Sequence, residues 1–262
     1  MRLPDAIAGR RALLVVAHPG HELRVHGWLE EAQPQVWVLT DGSGNGERGR
    51  MASTARLLAR AGAAPGAIFG RLSDRGAYTL MMEGDVPALA ALVEELAAAL
   101  VEQQVDYVAG DACEGFNPVH DLCRLVIDAA VGVARRRTGR PVDDFEFALE
   151  AGPQWQGGGA EIQWQLDEAA LARKLRAARD YPELAAEVER AVASFGEQAF
   201  ACERLFRVEP FATLSSRFDG QPGYERHGEE RVTAGVYAQV LRYRRHFAPL
   251  ADAIIARARG SD

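Results

Sequence analysis

The chain has 262 residues, is 48% hydrophobic and 26% charged, and carries a formal net charge of −7. That length can bury a full core and suits one α/β domain with additions, while the acidic balance argues against nucleic acid as the main partner. No apolar run approaches the roughly 18–20 residues of a membrane span, the N-terminus lacks a signal-peptide pattern, and three cysteines without a C-x-x-C give no disulfide framework, so a cytoplasmic setting is expected.

The predicted elements begin with an apolar, β-branched run over 12–17 that stops at Pro19-Gly20, a strand followed by its turn. A helix is expected over 21–32 and a second strand over 35–40. Residues 41–50 hold four glycines and read as a loop at the rim of a site; they fit neither G-x-G-x-x-G nor a P-loop. A helix over 51–62, a short strand near 67–71, an Ala/Leu/Glu-rich helix over 86–104 and a strand over 105–109 follow. Next come a helix ending near 137 and one more strand over 145–149. This alternation predicts a Rossmann-like α/β fold, a mostly parallel sheet with helices on both faces. The style changes after residue 150: a Gly/Trp/Gln-rich loop or hairpin over 152–165, helices over 166–181 and from 182 to 194, a short strand near 205–211, a polar loop over 215–228 and a final helix over 229–258. Residues 1–150 are therefore expected to form the core and 151–262 a mainly helical and loop elaboration packed on it as one structural unit.

The chemistry concentrates where the first strand ends. His18 and His21 are three residues apart, so a tight turn can aim both imidazoles at one point, and His120 lies about a hundred residues on in Asn117-Pro118-Val119-His120. Three neutral imidazoles with one position left for water make a hydrolytic zinc site.

These residues carry a resemblance. Residues 17–22, Ala-His-Pro-Gly-His-Glu, are similar to the A-H-P-D-D-E signature of the PIG-L/LmbE-like deacetylases. Gly27 falls at that family's helix glycine, and residues 36–42 resemble its second strand and T-D-G turn. Arg50 resembles the arginine of R-x-x-E, residues 72–74 resemble L-P-D, and residues 117–120 resemble H-P-D-H. The resemblance spans roughly residues 10–150. It implies a zinc enzyme, or one using another divalent first-row ion, that removes the acyl group from an N-acyl amino sugar or similar metabolite. It also implies His18, His21 and His120 as metal ligands, with Arg50 and Asp74 at the substrate.

The sequence departs from that pattern where acid–base chemistry is done. Gly20 stands where the family has its general base and His21 where it has a ligand Asp; Asn117 replaces a histidine, Val119 an Asp and Ser53 a Glu. Metal binding is thus expected to persist while the usual acid–base pair is lost. Glu22 is the candidate substitute base, or else a helix-start carboxylate or support for a ligand. Glu114 is its rival. Asn117 can steady an oxyanion through its amide or serve as a turn residue before Pro118. His227 is the candidate general acid, expected in a late loop over the metal, on the same molecular face as the other three. The partner is a small molecule, with no nucleic acid and no membrane span, and a homo-oligomer is left open. The alternatives are a metal-bound protein that has lost hydrolysis, with a binding or scaffold role, or one that uses its metal in a different reaction.

Overall fold

In the computed structural model, residues 3–44, 49–150, 161–208, 211 and 221–260 are described. The first half alternates β1 (Ala12–Val16), α1 (His26–Ala32), β2 (Gln35–Thr40), α2 (Met51–Ala61), β3 (Ala64–Leu72), α3 (Asp74–Glu83), α4 (Val86–Glu102), β4 (Tyr107–Asp111), α5 (Pro118–Thr138) and β5 (Asp143–Phe147). The second half adds β6 (Ile162–Gln165), α6 (Glu168–Arg179), α7 (Ala185–Phe195), β7 (Cys202–Arg207), α8 (Gly223–Thr233) and α9 (Ala248–Arg259). Seven strands form one sheet in the order β3-β2-β1-β4-β5-β7-β6. The first five are parallel, and β7 and β6 pair antiparallel at the far edge.

The apolar runs of β1 and β2 are buried on both sides, as parallel strands between helix layers must be. One core packs α3, α4, α5 and α9 on one face of the sheet. The other packs α1, α2 and α6 on the opposite face. The chain leaves β1 toward β2 and β3, then returns to lay β4 on the other side of β1. That reversal opens a crevice at the carboxyl ends of β1 and β4, where open α/β sheets bind ligands. The two strands approach closely because Gly110 lacks a side chain: a Cβ there would lie 2.6 Å from the Val15 carbonyl oxygen and 2.4 Å from Ile127 Cδ1.

Helix α5 is held to the sheet by a fully buried charge network. Arg124 donates from Nε to Asp128 at 2.7 Å and from Nη2 to Asp144 at 2.6 Å. This fixes the helix whose first turn carries His120.

Three expectations are corrected. The strand expected at 145–149 runs over Asp143–Phe147. Helix α3 was not expected; Ser73 caps it by accepting from the Gly76 N–H at 3.0 Å, and Ala77, Leu80 and Met81 bury one face. The final helix is not continuous: α8 starts at Gly223, Gly235 (φ 72°) follows its end, and α9 begins only at Ala248, with Pro249 in its first turn. The second half also builds two strands of the sheet, in addition to its helices. Of the Gly/Trp/Gln-rich segment, residues 152–160 lie outside the described residues, as do 215–220 of the expected polar loop, 209–210 of the strand expected near 205–211 and 45–48 of the glycine-rich stretch.

Candidate metal centre and cleft

Beyond β1 the backbone turns through Gly20 (φ 108°) into a short 3-10 segment, His21–Val25. Beyond β4 it reaches Asn117, which caps α5 by accepting from the Val119 N–H at 2.9 Å. The two turns face each other across the crevice and bring His18, His21 and His120 together. Their ring centroids lie 5.3, 5.1 and 4.7 Å apart, with rings at 67–89° to one another.

The hydrogen bonds assign the tautomers. His18 Nδ1 lies 2.7 Å from Thr40 Oγ1, whose hydroxyl donates to the Ala17 carbonyl at 3.0 Å, so Nδ1 must be the donor. Asp74 Oδ1 stands 3.0 Å from the same nitrogen. His21 Nδ1 donates to Asp111 Oδ2 at 2.8 Å, and that oxygen also accepts the Ala17 N–H at 2.7 Å. In both rings Nε2 is thus the unprotonated nitrogen. The Asn117 amide approaches His18 Nε2 at 3.4 Å as a donor would. His120 Nδ1 is buried with no hydrogen-bond partner.

Burial holds the His120 imidazole well below the ordinary histidine range, with the neighbouring His21 and His18 adding to the effect. Burial also lowers His21, against the pull of Asp111. For Asp74, burial disfavours the charge, but the adjacent His18 ring and the Gly44 N–H, which donates to Oδ2, outweigh it, and its carboxyl sits well below the usual range. Burial thus favours the neutral form of His21 and His120, while Asp74 is held ionised.

This donor set fits a divalent first-row metal. A tetrahedral ion holding imidazole nitrogens at about 2.1 Å sets ring centroids about 5 Å apart, which the observed triangle brackets. Carboxylates on the outer nitrogens of His18 and His21 are the partners that orient metal-bound imidazoles. Among the described residues no three His, Cys, Asp or Glu side chains are placed so that they could hold a metal ion as they stand. The ring spacing carries the argument instead, because His120 has no bond on Nδ1 and histidine χ2 is a soft torsion.

The other expected residues fall in different places. Arg50 and Asp74 both line the cleft above the triangle, a cavity of about 1100 Å³. The Arg50 guanidinium lies over Gly42 with Nε buried and without a hydrogen-bond partner. Glu22 is not at the cleft surface. One carboxylate oxygen accepts the Gly20 N–H at 2.7 Å and the other the Thr54 hydroxyl at 2.7 Å, so it shapes the turn and its pKa is raised by burial. Glu114 accepts the Leu149 N–H at 2.9 Å and braces the loop after β5. His227 shares the cleft with the three histidines, but on helix α8, not in a loop, and is 64% exposed.

Sequence reading missed three groups that define the site. Asp111 ends β4, two residues past the expected strand end, and its full burial was not legible without the sheet. Thr40 looked like part of a turn motif and is the tautomer-setting partner of His18. Leu184, from the second half, fills the space beside Gly20: a Cβ on Gly20 would meet Leu184 Cδ1 at 2.4 Å.

No protein-family model and no curated protein matches the chain. Among solved structures, the conserved protein TT1542 from Thermus thermophilus is similar with a TM-score of 0.51 at 18% identity, covering 77% of this chain and 95% of that one. The chain has the LmbE/PIG-L-like fold. The A40926 pseudoaglycone deacetylase Dbv21 is similar at a TM-score of 0.49 and 20% identity, over 78% of this chain and 98% of its own. The zinc-inhibited form of teicoplanin deacetylase Orf2 follows at 0.46 and 14%, over 76% and 99%. Among the described residues no helix is long and apolar enough to cross a membrane.

Proposed function

We propose that this protein is a metal-dependent amide hydrolase that removes the acyl group from an N-acyl amino sugar or related small metabolite. The observation that carries the reading is the triangle of His18, His21 and His120, with two outer nitrogens tied to Asp111, Thr40 and Asp74. When bound, zinc or another divalent first-row ion supplies a Lewis acid that polarises an acyl oxygen and makes water acidic near neutral pH.

The chain's own residues would do the rest. His18, His21 and His120 hold the ion as neutral ligands, and Asp111 and Asp74 keep the rings turned inward. The Asn117 amide, fixed by its capping bond, offers an N–H toward the same space and is suited to steady negative charge on the acyl oxygen. Arg50 lines the cleft, where its charge suits a hydroxylated or anionic substrate. His227, an exposed titratable side chain of α8 that lines the cleft, would give the proton to a leaving amine. Glu22 serves by holding the Gly20 turn. With three cysteines in odd number, a reducing cytoplasm is the setting we infer.

One observation favours a second reading, metal binding without hydrolysis. The space of the family's general base is taken by Leu184, and Glu22 is closed to the cleft. Metal analysis beside a turnover screen over N-acyl sugars and N-acyl amino compounds separates the two. The first reading expects about one ion per chain, lost in His120→Ala, and release of free amine that stops on chelation. An ion held without turnover leaves the second reading. Metal content unchanged in His18→Ala, His21→Ala and His120→Ala would overturn both.

A further inference from the structure

A short segment of the second half reaches the turn between His18 and His21. Residues 181–184 connect α6 to α7, and the Leu184 N–H donates to the Tyr181 carbonyl at 3.0 Å. Leu184 lies against Gly20, and Glu183 accepts the Ser53 hydroxyl at 2.8 Å. Gly20 and Ser53 are two of the positions where the sequence departs from the PIG-L/LmbE-like pattern, and this one segment touches both. Tyr181 starts a chain of hydrogen bonds. Glu22 accepts the Thr54 hydroxyl on one carboxylate oxygen and the Gly20 N–H on the other, each at 2.7 Å. Thr54 has no second proton, so the Tyr181 hydroxyl, 2.9 Å away, is the donor to it, with the Arg50 carbonyl oxygen also in reach at 3.3 Å. Tyr181, Thr54 and Glu22 are each 1% exposed or less.

We infer that Tyr181 is a positioning residue for the metal centre. Acting through Thr54 and Glu22, it fixes the Gly20 turn and with it His18 and His21; through the Arg50 carbonyl it seats the start of α2 against the same turn. The inference rests on the metal-centre part of the reading above. The turn needs an outside hold. Gly20, at φ 108°, has no side chain, and the turn's own backbone bonds are long, 3.4 Å from the His21 N–H to the His18 carbonyl and 3.2 Å from the Leu23 N–H to the Gly20 carbonyl. The two bonds on Glu22 are much shorter, so the carboxylate sets the turn, and what sets the carboxylate is the hydroxyl chain from Tyr181. Packing of α6 does not call for these hydroxyls. Phe at 181 and Val at 54 would fill nearly the same space without burying polar groups. A buried polar chain in which every member is satisfied holds one arrangement, where apolar packing tolerates several. Metal ligands need that precision, within about 0.5 Å.

The test is zinc affinity of the full chain, measured by competition with a chelating dye at a temperature where every variant is folded. Tyr181→Phe and Thr54→Val should each weaken zinc by about tenfold. Their double variant should bind no worse than the weaker single, because both cut one chain. Thr54→Ser keeps the hydroxyl and should bind zinc like the unsubstituted protein. Leu171→Ala, which loosens buried packing of α6 away from the chain, should lower the unfolding temperature and leave zinc affinity unchanged. Zinc affinity unmoved in Tyr181→Phe and Thr54→Val overturns the proposal. So do losses that multiply in the double variant, or an equal loss in Leu171→Ala, which would make the role merely structural. If the unsubstituted protein takes up no zinc, the metal-centre reading falls by itself, and nitrogen NMR of the histidine rings decides on Tyr181. The His18 and His21 signals should then shift in Tyr181→Phe and Thr54→Val but not in Thr54→Ser; signals that stay in place overturn the positioning role.

Discussion

The two halves of the molecule meet at the cleft and differ in how they hold their side chains. Residues before 150 supply His18, His120, Asp74 and Asp111, all buried beside strand or helix ends, with His18, Asp74 and Asp111 held by hydrogen bonds. Residues after 161 supply α7, which has no buried residue, and His227, which is 64% exposed. A strand end in a parallel sheet fixes a side chain closely enough for coordination chemistry. A helix laid across the outside sets the shape of the space above it and changes at little cost to the fold. The halves share both hydrophobic cores, and polar ties join them as well. Glu203 of β7 accepts the Gly27 and Trp28 N–H groups at 2.9 Å each and pairs with Lys174 at 2.8 Å. Tyr181 lies 2.9 Å from Thr54, which donates to Glu22.

The largest effect expected from breaking this division is at Glu203. Glu203→Ala removes the acceptor for two helix-start N–H groups and strands the buried Lys174 ammonium. It should cost about 3–5 kcal/mol, read by denaturant unfolding. If Glu203→Ala unfolds like the unsubstituted protein, the joint between the halves is elsewhere.

A smaller effect sharpens the boundary at Gly20. Gly20→Asp would place a carboxylate in the turn after β1, but φ is 108° there and Leu184 must swing aside. The strained backbone should cost about 1–3 kcal/mol. Adding Leu184→Ala should relieve the crowding and leave the φ strain, so the double variant should be less destabilised than the sum of the singles. Simple additivity in that cycle would show that Leu184 does not compete for the space.

The smallest effect is at His227. Its exposed side chain should contribute within about 0.5 kcal/mol to stability, and His227→Ala should leave metal content unchanged. If it donates the proton, kcat falls by ~10²–10⁴ with metal retained. A rate equal to that of the unsubstituted protein removes it from the mechanism and leaves charge stabilisation to Asn117.

The sequence by itself determined most of the alternation of strands and helices over the first half, with α3 the exception, because the other runs there carry the apolar pattern of their element and turn residues between them. It also marked His18, His21 and His120, since the turns that carry them directly follow apolar strands and their order matches a known pattern. What only the tertiary structure decided are relations between residues far apart in the chain. Asp111 orients His21 across 90 residues, and Lys174 meets Glu203 across 29. Glu22 looked available as a base but is consumed by Gly20 and Thr54. Leu184 reaches Gly20 from the other half of the chain. Local propensity and periodicity act over a few residues and so are written in the sequence. Which buried carboxylate finds which N–H, and which side chain fills the space a glycine leaves, is settled only when the sheet brings distant segments into contact.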